Sequence, residues 1–323
     1  MSIDRRDFLR GLASGAASGA AALAMPAFAQ RAPVRIFVGF PAGGLPDLVA
    51  RALAEQFRKS FDVTVLVENR AGANGRIAGQ AVKAGPADGT TFLVAPASNI
   101  VHIPHVYSDL GFDPMTDFVP VAQTLENDFA FACSARIPPT TLQEYATWAK
   151  ANPGQSTFGS PGAGSSPHLM GLQIARALGM PLAHVPYKGS NFALTDLQGG
   201  HIASMVSVTS FLLPSMKAGS LRVLATTGNN RSAPTVPTFK ELGIPQLTLT
   251  EGTWLLAPAK TPQAVIDRYS AAAIEAVKGK EMQALIDATT TAAPLNARDL
   301  AKVMRDEYDR RGATIRQFGF TAG

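Results

Sequence analysis

Covalent cross-linking is excluded at once, because this chain of 323 residues contains a single cysteine, Cys133. With no internal disulfide available, stability has to come from an apolar core, and Cys133, within Phe129-Ala130-Phe131-Ala132-Cys133, reads as a buried, inert thiol. Charge is sparse at 16% of residues, and the net excess of five positive charges is spread without a dense Lys/Arg run, so the footprint of a nucleic-acid binder is missing. No segment is long and apolar enough to read as a membrane span. His102 and His105 share a Pro-containing loop with no Cys, Asp or Glu at metal-ligand spacing. A G-x-S-x-G elbow is lacking, and the serines of the 159–166 loop have no base partner in sight except His168, which weighs against a serine hydrolase. Gly162-x-Gly164 has Pro167 where a dinucleotide fingerprint needs its third glycine, and no acid follows at the required distance. No catalytic residue, metal or cofactor is therefore expected.

The first 29 residues have the character of an export signal. Arg5-Arg6-Asp7-Phe8-Leu9-Arg10 is a twin-arginine pattern, Gly11 to Met25 is a weakly apolar small-residue stretch, and Ala27-Phe28-Ala29 is a small-x-small cleavage site. Cleavage after Ala29 removes three arginines and two aspartates, lowering the net charge from +5 to +4. The mature chain from Gln30 is expected in a bacterial periplasm.

What the chain does have is an alternation of strand-like and helical runs. Val34–Val38, Val63–Val67 and Thr91–Ala95 read as strands, with helices at Pro46–Phe57 and Ile77–Lys83 between them. A second set follows, with strands at Phe129–Cys133, Ser156–Gly159, Ala183–Val185, Ala203–Val208 and Arg222–Thr226. Ser166 with Pro167 is expected to cap one helix and Ser190 another, the latter running through Leu197. A strand at Gly252–Leu256 returns the chain to the first set, and two helices close it, one opened by Thr261-Pro262 and one by Asn296 and Asp299. Such order predicts an α/β protein of two lobes with mainly parallel sheets. The first lobe is discontinuous, 30–128 and 252–323, and the second is 129–251.

Two glycine-rich turns, Gly39-Phe40-Pro41-Ala42-Gly43-Gly44 and Gly159-Ser160-Pro161-Gly162-Ala163-Gly164-Ser165, each lead from a strand into a helix, about a domain apart. Helix N-termini carry unpaired N–H donors and roughly half a positive charge, so paired turns of this kind suit an anion such as a carboxylate. Either turn alone is equally what any α/β protein uses to reverse its chain. Asp47, in the first turn of its helix, suits the macrodipole better than it suits an anionic guest. Ser98 and Asn99 follow a strand and belong at its C-terminal mouth, where open sheets bind ligands. His168 begins a helix and should be a neutral ring orienting the serine loop. Arg76 is the available counter-charge for a second ligand carboxylate, or a plain surface arginine. Trp148 and Trp254 read as packing groups, and Phe40 as an apolar wall.

These residues, in this order, resemble the Bug-type periplasmic solute receptors of tripartite tricarboxylate transporters. The matching stretches include Gly43-Gly44-x-x-Asp47, Val67 to Ala73, Ala87 to Leu93, Phe112 to Val121, Gly159 to His168, His184 to Gly189, Lys217 to Arg222 and Val236 to Thr238. The resemblance implies a two-domain type II periplasmic-binding fold with two interdomain crossover strands, closing on a small carboxylate without metal, cofactor or covalent chemistry. It also implies docking to the membrane permease subunits of such a transporter, or, in some relatives, sensing. The resemblance places the carboxylate on Phe40, Pro41, Ala42, Gly43 and Gly44 and on Ser160, Gly162, Ala163, Gly164, Ser165 and Ser166, and the candidate ligand-binding set is completed by Asp47, Ser98, Asn99 and Ser207 from their own positions. The chain departs from the commonest pattern at Ala71, at Asn74-Gly75-Arg76 and at Met205-Val206-Ser207-Val208-Thr209, where relatives often carry an Asp. Loss of that acid leaves a ligand ammonium group without a partner, so a dicarboxylate or aromatic acid is expected ahead of an amino acid. A monomer is expected.

Overall fold

The computed structural model describes residues 32–287 and 290–318. The export-signal reading falls on residues outside that range.

Alternating side chains decide how each strand is used. In Val34–Val38 (β1), Ile36 and Val38 join one apolar cluster while Phe37 joins another; in Thr91–Pro96 (β3), Phe92 and Val94 part from Leu93 and Ala95 in the same way. A strand buried on both faces is a strand with helices above and below it. One layer is Leu45–Phe61 (α1) and Gln263–Ala276 (α8), whose Phe57 and Tyr269 meet edge to face at 4.9 Å. The other includes Arg76–Lys83 (α2) and Ala297–Phe318 (α10), which supply Ala78, Val82, Leu300 and Met304.

The same alternation recurs in Phe118–Ser134 (β4). Phe129, Phe131 and Cys133 face one cluster with Tyr145 of Leu142–Ala151 (α4), whereas Ala130 and Ala132 face another with Leu197 of Ser190–Gly199 (α6). The remaining elements are Val65–Asn69 (β2), the short helix Ser98–Val101 (α3), Thr157–Ser160 (β5), Ser166–Leu178 (α5), Ala183–Pro186 (β6), Ser204–Val208 (β7), Thr209–Lys217 (α7), Leu221–Thr226 (β8), Thr250–Pro258 (β9), Lys280–Asp287 (α9) and Thr291–Asn296 (β10).

Strand order is β2-β1-β3-β9-β4-β7-β5-β6, with β10 and β8 also pairing β4. The wings are parallel, β1 with β2 and β3, and β5 with β6 and β7. Between them β9 and β4 run antiparallel from Phe118 opposite Pro258 to Asp128 opposite Thr250. The result is a curled mixed sheet carried from one lobe to the other by two long paired strands. Their register shifts between Pro120 and Ala122 and again between Gln123 and Glu126.

Several expected boundaries move. β4 begins at Phe118, well before Phe129, because Gln123, Asn127 and Asp128 are buried in spite of their polarity. Ser165, rather than Ser166, caps α5, its hydroxyl accepting from the His168 N–H at 3.3 Å. Ser190 does not cap α6: Gly189 holds that position, and the Ser190 hydroxyl pairs with that of Ser207 at 2.8 Å.

Candidate functional site

Both glycine turns open onto one hollow of about 80 Å3 between the lobes. The first turn, which Gly44 ends as the N-cap of α1, contributes Phe40, Pro41 and Gly44 to its wall. The second turn and the segments near it contribute Pro161, Ser165, Pro167, Ser190, Asn191 and Ser207. Ser98, Phe129, Val208, Phe211 and Glu251 complete much of the lining. Prolines and aromatic rings make the walls stiff and apolar, and hydroxyls supply the polar points. Ser190 and Ser207 share one hydrogen bond between two hydroxyls, so one hydroxyl hydrogen of the pair is left to donate elsewhere.

Of the residues expected to bind ligand, Phe40, Pro41, Gly44, Ser98, Ser165 and Ser207 line this hollow, and Ala42, Gly43, Asp47, Asn99, Ser160, Gly162, Ala163, Gly164 and Ser166 do not. Ala42 and Gly43 are exposed at the tip of the first turn. Asp47 is buried beneath it, accepting from the Gly43 N–H and Arg51 Nε at 2.9 Å each and from Asn69 Nδ2 at 2.9 Å. Burial alone would raise that carboxyl, but the Arg51, Gly43 and Asn69 donors outweigh it and hold Asp47 below its ordinary value. Asp47 thus fixes the shape of the turn. Asn99 points away from the hollow and donates to the Asn74 carbonyl at 2.8 Å.

The second turn is braced from behind. The Ser160 hydroxyl meets His184 Nε2 at 2.7 Å, and the Gly164 N–H donates to His168 Nδ1 at 3.0 Å. The two imidazoles stack at 3.7 Å, and burial keeps them neutral, His168 near a pKa of about 4 and His184 near about 3. Gly162, Ala163 and Gly164 meet the other lobe. Asn74 Nδ2 and the Tyr107 hydroxyl both donate to the Ala163 carbonyl, at 2.9 and 3.2 Å. Asn74 reaches there from a tight segment in which Gly72, Ala73, Asn74 and Gly75 all have positive φ, Ala73 at 46° and Asn74 at 51°. Such backbone is costly for residues with a Cβ and persists where surroundings impose it. On the opposite rim, a Cβ on Gly189 would stand 2.9 Å from Pro41 Cδ, so the lobes touch there too. Arg76 lies outside the hollow, donating to the Ala73 and Asp109 carbonyls with its guanidinium 4.1 Å above the Tyr107 ring.

Glu251 had no motif to announce it. It occupies the start of β9, is 8% exposed, and its Oε1 accepts from the Ser98 N–H at 2.8 Å and from the Ser166 hydroxyl at 2.9 Å. One carboxyl therefore ties β9 to the N-termini of both α3 and α5. It lines the hollow on one side and, on the other, a larger polar cavity of about 400 Å3 that includes His102, Gln123 and Arg311. Burial raises its pKa against the pull of the Ser98 and Ser166 donors. Trp254, three residues on, is a packing group, its indole N–H donating to Gln123 Oε1 at 2.8 Å. Among the described residues no cluster of His, Cys, Asp and Glu could hold a metal ion, and no helix is long and apolar enough to cross a membrane.

Two α/β lobes, spanned by paired strands and facing each other over a small hollow, define a binding protein of the two-lobed periplasmic class. The chain belongs to the tripartite tricarboxylate transporter receptor family, whose model matches residues 49–320. It is 35% identical over 274 residues to the "UPF0065 protein in gbd 5'region" of Cupriavidus necator, covering 82% of this chain and 83% of that one. Its fold matches that of the periplasmic binding protein BugD with a TM-score of 0.84 at 27% identity, over 90% of this chain and 98% of BugD. An R. palustris protein solved with adipate matches with a TM-score of 0.85 at 25% identity, over 90% of this chain and 99% of that one. Members of the family are periplasmic solute-binding receptors, not enzymes.

Proposed function

We propose that this chain captures a small organic carboxylate between a lobe formed by 30–128 with 252–323 and a lobe formed by 129–251, and delivers it to a membrane permease. The observation that carries this reading is the shared hollow. Residues of both glycine turns line it, at the N-termini of α1 and α5, and the Ser190–Ser207 hydroxyl pair keeps one hydrogen to donate, while the Ser165 hydroxyl is spent on the Gly162 carbonyl at 2.7 Å. Helix starts and hydroxyls favour a carboxylate, and the proline and phenylalanine walls favour an apolar body behind it. The adipate seen in the R. palustris relative is an acid of this kind. A dicarboxylate or aromatic acid is preferred over an amino acid on the loss of the acid near Ser207. Solute binding drives the lobes together only by as much as it favours the closed form, and the permease reads that closed form. Export by the twin-arginine segment, with cleavage near Ala29, and action as a monomer complete the proposal.

The test is the melting temperature of the exported protein across aliphatic, aromatic and dicarboxylic acids and amino acids, together with native mass spectrometry of what co-purifies. At least one carboxylate should raise the melting temperature in proportion to the logarithm of its concentration above Kd. If no acid in the panel does so and none co-purifies, capture is wrong.

A further inference from the structure

The polar cavity on the other side of Glu251, about 400 Å3 in volume, falls within the range of about 300–1,000 Å3 typical of small-molecule sites. Among the described residues Glu251 alone belongs to both linings, and the two spaces differ in chemistry. Prolines and phenylalanines wall the hollow, whereas charges and amides wall the cavity. Arg310 and Arg311 of α10 share one carboxylate there. Arg311 Nε donates to Glu307 Oε2 at 2.8 Å, and Arg310 pairs with Oε1. Burial would raise the Glu307 carboxyl, but the two guanidiniums outweigh it and hold it below its ordinary value. Two cations on one anion leave one positive charge over, and the Arg311 side chain is only 17% exposed. Burial and then the Arg311 charge hold His102 well below its ordinary value, so that ring is neutral. The opposite charge comes from Glu126 of β4. It joins no ion pair among the described residues, and its carboxylate takes only a long bond from Gln123 Nε2, at 3.4 Å. Glu251, already engaged by Ser98 and Ser166 and raised by burial, is not the free acid of this cavity. Gln173, Asn229 and Gln246 add side-chain amides that no hydrogen bond among the described residues engages.

We propose that this cavity is a binding site in its own right, for a small zwitterion of amino-acid type whose carboxylate meets Arg310 and Arg311 and whose ammonium meets Glu126. The surplus charges on its walls, one of each sign, match the two charges of such a molecule. A plain carboxylate would satisfy the arginines and leave Glu126 unpaired beside a second anion; a plain amine would do the reverse. Guanidinium groups suit the planar carboxylate because their N–H donors lie in a fixed fork. The free amides of Gln173, Asn229 and Gln246 can donate and accept around the body of the guest. None of these residues lines the hollow, so the proposal stands apart from capture of a carboxylate there.

The experiment titrates alanine, γ-aminobutyrate and 6-aminohexanoate into the exported protein by calorimetry, beside propionate, butyrate and hexanoate and the amines ethylamine, propylamine and pentylamine. The same titrations are run on Glu126→Gln and Arg310→Gln, with the melting temperature of each solute-free variant as the check on folding. At least one zwitterion should bind wild type about tenfold or more tightly than the acid and the amine of its own length. Each variant should weaken that zwitterion by about tenfold and leave the affinity of any acid held in the hollow within about twofold of wild type. If no zwitterion binds, or if both variants bind it as wild type does, the cavity is not its site and the proposal is overturned; carboxylate capture in the hollow is untouched by either result. A variant that does not fold leaves the decision to the other, since Glu126 and Arg310 stand on different elements. If neither folds, the wild-type ranking decides, and an acid or amine that equals the zwitterion of its length overturns the proposal.

Discussion

Substituting Gly162 by alanine should act as a wedge between the lobes. A Cβ at Gly162 would stand 2.8 Å from both Cγ and Oδ1 of Asn74 and 3.1 Å from its Cβ. Comfortable carbon contacts begin at about 3.5 Å, so the facing segments must part by roughly 0.7 Å, or Asn74 must swing aside. Swinging aside gives up the Asn74–Ala163 bond at 2.9 Å, worth about 0.5–1.5 kcal/mol net. Asn74 has little freedom to comply, because its backbone is fixed at φ 51° and its carbonyl is held by Asn99. Overpacking of this kind costs about 1–3 kcal/mol. The cost falls on the closed arrangement alone, since Asn74 belongs to the other lobe and Gly162 has a backbone conformation open to alanine. The expected result is a solute affinity weaker by about tenfold to a hundredfold, with the melting temperature of the solute-free protein little changed. Calorimetric titration with whichever acid raises the wild-type melting temperature most provides the measurement. An affinity within about twofold of wild type would show that the 162–163 and 74 segments need not meet for capture.

Two further outcomes follow from buried groups. Asp47 has a folded-state pKa below its ordinary 3.8, so its contribution to stability is fully present above that value and is lost as pH falls through the lower folded value. Asp47→Asn should therefore lower the urea midpoint at neutral pH, by an amount equivalent to about 1–3 kcal/mol, and the gap to wild type should close in acid; a gap independent of pH would refute the assignment. Cys133 is fully buried with its thiol pushed up to about 11, so a thiol reagent in mildly alkaline buffer should leave it unmodified until denaturant is added, and rapid labelling of the native protein would contradict that burial.

Much of this architecture is visible in the amino-acid order, because it depends on local signals. Val34–Val38 and Thr91–Ala95 announce themselves by apolar content, and the two turns by glycine and proline. Asn296 and Asp299 do cap α10, the Asp299 N–H donating to Asn296 Oδ1 at 3.0 Å. The misses share one cause: partners distant in sequence. Gln123, Asn127 and Asp128 look like loop residues, yet Gln123 lies in a strand because Trp254 satisfies its side chain, and Asp128 because Ser232 donates to it at 2.8 Å. β10 contains a proline and pairs irregularly with β4, so neither alternation nor propensity marks it. Glu251 is the instructive case among the cleft residues. A lone acid in Thr248-Leu249-Thr250-Glu251-Gly252-Thr253 carries no spacing signal. Its meaning comes from Ser98 and Ser166, each many residues away in sequence.

The two register shifts in the pairing of β4 with β9 have a mechanical consequence. Where a bulge interrupts a ladder, an antiparallel ribbon can flex without rupturing its remaining rungs, and the compliance gathers at the irregular spot. Both irregularities fall between Pro120 and Glu126, facing the β9 stretch that ends at Gly252, next to Glu251. The irregular stretch of this long strand pair therefore lies beside Glu251, the acid that borders the hollow among the described residues.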